Sequence, residues 1–470
     1  MIADLKPYQE YKESGLPWLA QVPRTWKVVR NGSLFGQRNQ TGFRDLPILE
    51  VSLKTGVRVR DFQSSARKQV MSDTGKYKRA AKGDVAYNMM RMWQGAVGVS
   101  PVDGLVSPAY VVARPYSQIE ARFFVELFRT GDYMSEIDNC SRGIVKDRNR
   151  LYWDQFKQIL SPCPPPAEQA AILRFLDWAN GRLERAIRAK RKVIALLGEQ
   201  KQAIIHRAVT RGLDPSVPLK PTGIPWLGDI PQHWEVRRFK FLARINSGQV
   251  DPRKSEYRNL ILIAPNHIER GNGRLLKEET AHEQGADSGK YLVTQGQLIY
   301  SKIRPNLQKA TIALRDCLCS ADMYPIAPTR ETVSAEYLLL VLLSEPFTKF
   351  AIDTSMRVAM PKVNREALAD CPIWYPDRTE QLEVLKFIAA ESAPINTAIS
   401  RLEREIELLR EYRTRLVADV VTGKLDVREA AARLPEEAPA DTVEDDAELN
   451  TDLDASDDCL LYTSPSPRDS

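Results

Sequence analysis

Two stretches of the chain carry apolar residues in alternating steps of four and three. Leu183, Ile187, Ile194, Leu197 and Ile204 belong to the first, and Ile395, Ile399, Leu402, Ile406, Leu409 and Leu416 to the second. This spacing, held over nearly four heptads, puts one apolar stripe along a helix and predicts a coiled-coil seam. Lys201 and Arg413 occupy the same interior position of the two seams. A basic residue there either fixes register or snorkels at the seam edge. Each long helix is expected to span about 27 residues, roughly 40 Å. A shorter helix should precede each one. Asp377-x-x-Glu380 has the form of a capping box, and Pro166 stands where the first short helix would start. Gly181 and Pro394 are expected to break short from long helix, and Gly212 and Gly423 to end the long ones. A lone helix of this kind exposes its stripe. Two copies in one chain can cover each other, and antiparallel pairing is the expectation; the alternative is that each packs on its own domain.

The remaining segments are β-rich and short. Pro47 to Val51, Gly83 to Tyr87 and Gln297 to Tyr300 are separated by Gly and Asp turns. Phe123 to Phe128 and Tyr337 to Leu343 look like short buried helices.

The chain also repeats itself. Gly15-Leu16-Pro17-Trp18-Leu19, followed by Val22-Pro23-Arg24-Thr25-Trp26, returns as Gly223-Ile224-Pro225-Trp226-Leu227 and Ile230-Pro231-Gln232-His233-Trp234, 208 residues later. Gly83-Asp84-Val85-Ala86-Tyr87 matches Gly296 to Tyr300 at 213, and Arg91 falls on Arg304. Asn149 and Arg150 fall on Asn364 and Arg365 at 215; Glu168-Gln169 falls on Glu380-Gln381 at 212. This is a tandem duplication. The expected fold is α+β: a tandem pseudo-twofold repeat of two mixed α/β domains separated by two long helices in an antiparallel coiled coil. The segments are 1–162 and 214–374 for the domains, 163–213 and 375–426 for the helical spacers, and 427–458 for a disordered acidic tail. Residues 459–470 read like a translated sequencing-library adapter and are left out of the fold.

Composition narrows the function. At 470 residues the chain has room for two to four domains. No run reaches the 18 apolar residues or more of a membrane span, and the first residues lack a signal-peptide layout. A cytoplasmic protein without membrane contact is expected. Cys140, Cys163, Cys317, Cys319, Cys371 and Cys459 include no C-x-x-C pair, and His206, His233, His267 and His282 have no metal spacing. Reduced cysteines and no metal are expected. The formal net charge of +6 conceals an asymmetry. Pro435 to Asp458 holds eleven acidic residues and no basic one, so the chain up to Leu434 carries +17. Such a body attracts polyanions.

Two α/β domains, each opened by Gly-x-Pro-Trp-Leu and Pro-x-x-Trp and each followed by a long helix, resemble the specificity subunit of type I restriction-modification systems. Pro165-Pro166-Ala167-Glu168-Gln169 and the helix endings Val209 to Asp214 and Val421 to Asp426 carry the same resemblance, which runs from about residue 8 to 430. It implies a non-catalytic subunit that binds double-stranded DNA. Each domain would read one half of a bipartite, asymmetric site. The helices would set the gap and dock two methyltransferase (modification) subunits, which restriction/translocase subunits join. It implies no cofactor in this chain; S-adenosylmethionine, ATP and Mg belong to the partner subunits. A helix of roughly 40 Å is close to the ~34–36 Å turn that separates half-sites of dimeric readers.

Base reading needs Arg, Lys, Asn or Gln within reach of groove edges. The candidates after the Gly83 and Gly296 strands are Asn88, Arg91 and Gln94, and Lys302, Arg304, Asn306 and Gln308. A second set is Arg142, Lys146, Arg148 and Asn149, facing Arg357, Lys362 and Asn364. Positions shared by both halves fit phosphate or structural contacts, because two different half-sites need different readers. Each candidate also has a plain reading as a solvated surface residue. Tyr87, Tyr300 and the four tryptophans of the repeated motif read as packing. The rival is an adenine methyltransferase with its own target domains: Ser107-Pro108-Ala109-Tyr110 resembles the Ser-Pro-Pro-Tyr type of motif but departs at Ala109, and no loop for the methyl donor follows a strand. No Gly-x-x-x-x-Gly-Lys-Ser/Thr loop is present. A coiled-coil scaffold that reads no sequence is the third possibility.

Overall fold

The computed structural model describes residues 5–53, 55–60, 74–142, 149–329, 331–355 and 361–435. They form two compact units, Met1–Ile187 with Leu408–Ser470, and Arg188–Glu407.

In the first unit β1 (Tyr11–Leu16) and β2 (Leu19–Pro23) form a hairpin, followed by β3 (Lys27–Arg30), α1 (Asn31–Leu34) and β4 (Phe35–Gln37). β5 (Leu49–Ser52) pairs with β6 (Gly56–Val59). After β7 (Lys78–Ala80), β8 (Val85–Asn88), β9 (Val97–Val99), β10 (Gly104–Val106) and β11 (Tyr110–Pro115), an antiparallel sheet runs β4-β11-β8-β9. Val85, Ala86 and Tyr87 are all buried. Continuous burial rather than alternation marks β8 as covered on both faces. α2 (Ala121–Phe128), α3 (Gly131–Cys140) and α4 (Trp153–Phe156) cover the sheet, and β12 (Leu160–Cys163) closes on β3. Phe35, Phe123, Phe124, Phe128, Tyr133 and Phe156 make the aromatic centre of this core.

The second unit follows the same order. β13 (Leu219–Pro221) pairs with β14 (Asp229–Pro231); then come β15 (Glu235–Arg238), β16 (Ala243–Ile245), β17 (Gln249–Val250), β18 (Leu262–Ile263), β19 (Lys290–Val293), β20 (Leu298–Ser301), β21 (Ala310–Ile312), β22 (Cys317–Cys319) and β23 (Met323–Pro328). One sheet runs β16-β23-β20-β21, a second β17-β19-β22-β18. α6 (Ala335–Leu342), α7 (Glu345–Ser355) and α8 (Arg365–Asp370) follow, and β24 (Pro372–Tyr375) pairs with β15. All five described cysteines are free.

The helices differ from expectation. No break separates short from long: α5 (Pro166–Arg211) has 46 residues and α9 (Arg378–Val421) has 44, with Pro394 inside. The expected length of about 27 residues is therefore too short. An interior proline costs about 3 kcal/mol, but Ile388 and Ile395 are buried on either side of it, and burying such side chains is worth about 1.5–3 kcal/mol each. Gly181 is carried at roughly 1 kcal/mol.

Both helices end on a glycine with positive φ, Gly212 at 73° and Gly423 at 79°, the left-handed position that glycine tolerates best. Each packs on a Pro-x-x-Trp motif within its own unit. A Cβ on Gly423 would lie 2.5 Å from Pro23 and 3.2 Å from Trp26; one on Gly212 would lie 3.5 Å from Trp234. Asp377 caps α9 by accepting from the Glu380 amide at 2.9 Å. The Glu380 carboxylate accepts instead from Trp234 Nε1 (3.0 Å) and meets His233 Nε2 (2.7 Å).

In the second unit Lys190 reaches Glu405 at 2.5 Å and Lys201 reaches Asn396 at 2.9 Å. Advancing along α5 means retreating along α9, so the helices run antiparallel there. In the first unit Arg413 reaches Glu184 at 3.2 Å. Leu183, Ile187, Ile395, Ile406 and Leu416 are buried; Ile194, Leu197, Ile204, Ile399, Leu402 and Leu409 are partly so.

Residues 427–435 overturn the expected start of the disordered tail. They carry α10 (Arg428–Ala432); Val427 and Ala431 are buried in the first unit's core, and Leu434 is buried as well. Short apolar residues at i, i+4 and i+7 give one buried stripe, which the acidic composition further on had masked. The rest of the tail and 459–470 lie outside the described residues.

Candidate nucleic-acid interface

Each unit brings together the two segments that hold the candidate contacts. In the second unit the chain leaving β20 pairs with the chain entering α8. Val363 N donates to Lys302 O (2.8 Å), Arg304 N donates to Pro361 O (3.0 Å), and Ile303 bridges to Lys362. In the first unit Leu151 N donates to Met89 O (2.9 Å), and Arg142 and Arg150 exchange both backbone hydrogen bonds (3.0 and 2.9 Å). The result in each unit is a lip beside the central sheet.

The second unit's turn is strained. Arg304 (φ 49°) and Gln308 (φ 46°) are two of three non-glycine residues with positive φ among those described. Such geometry costs about 1–2 kcal/mol per residue and needs surrounding support. Gln308 supplies it: its Nε2 donates to Leu343 O (3.2 Å) and Thr348 Oγ1 (2.9 Å), and its carbonyl accepts from Gly271 N (3.2 Å). Gln308 is thus committed to the framework. Arg304 and Asn306 stand exposed on the turn, and Lys362 is exposed on the facing strand.

In the first unit Asn88 Oδ1 accepts from Met90 N (2.9 Å), so that oxygen is used in a local turn. Arg91 is half-exposed and Gln94 exposed, and Gly95 closes the turn at φ 88°. Arg142 is exposed. Asn149 Nδ2 donates to Asp138 at 2.9 Å, and Asn364 Oδ1 caps α8 through Ala367 N at 2.7 Å. Lys302 donates to the Ala321 carbonyl at 2.5 Å. Arg91, Arg142, Arg304 and Lys362 form no ion pair among the described residues. Lys146, Arg148 and Arg357 lie outside the described residues.

Sequence reasoning passed over Arg365. Its guanidinium lies over Tyr324 (5.3 Å) and Tyr291 (5.9 Å), and Nη2 donates to Asn246 O at 2.9 Å. Burial raises the Tyr324 phenol pKa against the pull of Arg365, so it stays protonated and donates to Val363 O at 3.2 Å. The only sequence sign was the match of Arg365 to Arg150. Ser107 to Tyr110 forms a turn, with Tyr110 N donating to Ser107 O (2.9 Å), and Lys78 Nζ holds the Pro108 and Tyr110 carbonyls.

No protein-family model matches the chain. It is 31% identical over 277 residues to the EcoDI type I restriction enzyme specificity subunit of Escherichia coli, covering 56% of this chain and 61% of that protein. It is 24% identical over 284 residues to the MjaVIII type I restriction enzyme specificity subunit of Methanocaldococcus jannaschii, covering 58% and 64%. The chain thus spans about three fifths of the length of these curated relatives. A solved chain from work on complex assembly and conformational transition of the type I R-M system aligns with a TM-score of 0.58 at 14% identity, over 86% of this chain and 99% of that one. That is a likeness of fold.

Proposed function

We propose that the chain is the DNA-recognition subunit of a type I restriction-modification complex, a non-catalytic reader of a bipartite site. The observation that carries this reading is the repeated lip. Each unit presents exposed or half-exposed cations that lack a carboxylate partner, on a turn fixed by backbone pairing, beside a sheet of the same strand order. Unpaired cations at fixed positions suit phosphates, and the differing side chains of the two turns, Gln94 against Asn306, suit different base edges.

The same reading makes the chain a tandem repeat whose paired helices form a coiled coil that sets the gap between half-sites. It docks two methyltransferase subunits and, through them, restriction/translocase subunits. S-adenosylmethionine, ATP and Mg act on those partners, and the complex works in the cytoplasm. The alternative of a self-sufficient adenine methyltransferase is weakened by Ser107 to Tyr110, whose backbone is used up in a turn and in holding Lys78. A scaffold that reads no sequence leaves the strained, buttressed turn at Arg304 to Gln308 without a purpose.

The test is co-expression with a type I methyltransferase subunit, followed by mapping of methylated bases. A two-part site with a fixed unspecified gap is expected. Methylation by this chain alone, or no association with a methyltransferase, would contradict the reading.

A further inference from the structure

Arg365 is half-buried, yet no carboxylate pairs with it among the described residues. Taking a guanidinium partly out of water without a counter-charge is costly. Two rings offset part of that cost: Tyr324 at 5.3 Å and Tyr291 at 5.9 Å. One carbonyl, Asn246 O, takes Nη2. The group is therefore held in place with donors left over. A second cation shares the cluster, since Lys302 Nζ lies 5.5 Å from the Tyr324 ring. Tyr324 is tied through Val363 to the strand that carries exposed Lys362. Three cations thus gather near one buried phenol: Arg365 and Lys302 at the Tyr324 ring, and Lys362 on the adjoining strand.

A planar guanidinium with its remaining N–H groups in a fixed fork matches a phosphate. Its position in the repeat points the same way. Arg365 matches Arg150, which is exposed and has no ring over it among the described residues. An arginine present in both halves suits a contact that carries no sequence information.

We propose that Arg365, buttressed by Tyr291 and Tyr324 and with Lys302 on the same Tyr324 ring, clamps one backbone phosphate of the DNA in the second half-site, positioning that unit without reading a base. This rests on the function proposed above. The experiment measures binding of the full-length chain to a mixed-sequence duplex and to a duplex carrying its methylated two-part site, across a range of salt. Arg365→Gln should weaken both duplexes by the same factor and reduce the slope of log K against log salt by about 0.9, one phosphate. Tyr291→Leu, which keeps the charge, should weaken binding and leave the slope. An unchanged slope in Arg365→Gln overturns the clamp and leaves Arg365 as packing. A loss confined to the site duplex, with methylation spreading to sites changed at one base pair, overturns it in favour of base reading. If Arg365→Gln loses its melting transition, Arg365→Lys decides: weaker binding at an unchanged slope supports the fork, and unchanged affinity overturns it. A wild-type chain that binds neither duplex defeats the proposed function itself, whereas wild-type binding matched by Arg365→Gln defeats only the clamp.

Discussion

Trp26 donates its indole N–H to Glu168 Oε1 at 2.8 Å across 142 residues, and Trp234 does the same to Glu380 at 3.0 Å. The repeated Pro-x-x-Trp and Glu-Gln motifs are thereby the two sides of one junction, at which a domain grips the start of a long helix. Tyr8 also donates to Glu168, at 2.5 Å. Trp26→Phe keeps most of the ring and removes the donor. Because Tyr8 still donates to the same carboxylate oxygen, this change should cost about 0.5–1.5 kcal/mol, the net worth of one hydrogen bond; Trp26→Ala should cost about 3–5 kcal/mol. Denaturant unfolding followed by hydrogen exchange in the first unit checks both. Equal stability of wild type and Trp26→Phe would mean that the indole merely fills space.

Gly423 and Gly212 end their helices alike but differ in room. Gly423→Ala meets Pro23 at 2.5 Å as well as an unfavourable φ, whereas Gly212→Ala meets nothing nearer than 3.4 Å. Both variants should lower the melting temperature, and Gly423→Ala by clearly more. Equal shifts would show that backbone strain alone decides.

Arg413 reaches Glu184, and Lys201 reaches Asn396. Both pairs are matched by a step of 212 residues, so the same register recurs within each unit. Exposed pairs are worth about 0.2–1 kcal/mol. A double-mutant cycle on Glu184 and Arg413 should return a coupling in that range. Ile406→Ala, at a buried seam position, should cost about 2–5 kcal/mol. A larger coupling for the ion pair than for the seam would invert this account of what holds the helices together.

Much of this was legible in the sequence. The 4-3 spacing marked the helices because a seam repeats its demand for apolar residues every turn. The duplicated motifs marked the junctions because they fill two equal jobs. The uninterrupted helices were not legible: Pro394 signals a stop locally, and the packing that overrides it comes from residues far along the chain. The lip was half legible. Arg304 and Asn306 are on its surface, but Gln308 and Asn364 spend groups on the framework, which their residue types do not announce. Arg365 was missed because a lone arginine says nothing until Tyr291 and Tyr324, 74 and 41 positions away, are seen around it.

The two classes of lip residue should separate in function. Arg91→Ala and Arg304→Ala should weaken DNA binding about equally for all sequences. Asn306→Ala should cost about 1–3 kcal/mol on the site and relax one base pair of the second half only, with Gln94→Ala acting on the first. Methylation mapping of each variant reads this out. Relaxation of both halves by one substitution would contradict separate reading heads.

The most direct test of two readers held at a set distance is deletion of one heptad from each of α5 and α9. Seven residues correspond to about 10 Å of helix, or about three base pairs at 3.4 Å each. Methylation mapping should then return both half-sites unchanged with a gap shorter by about that amount. Unchanged half-sites at an unchanged gap would show that the helices do not set the spacing, and the account of a two-headed reader on a helical spacer would fall.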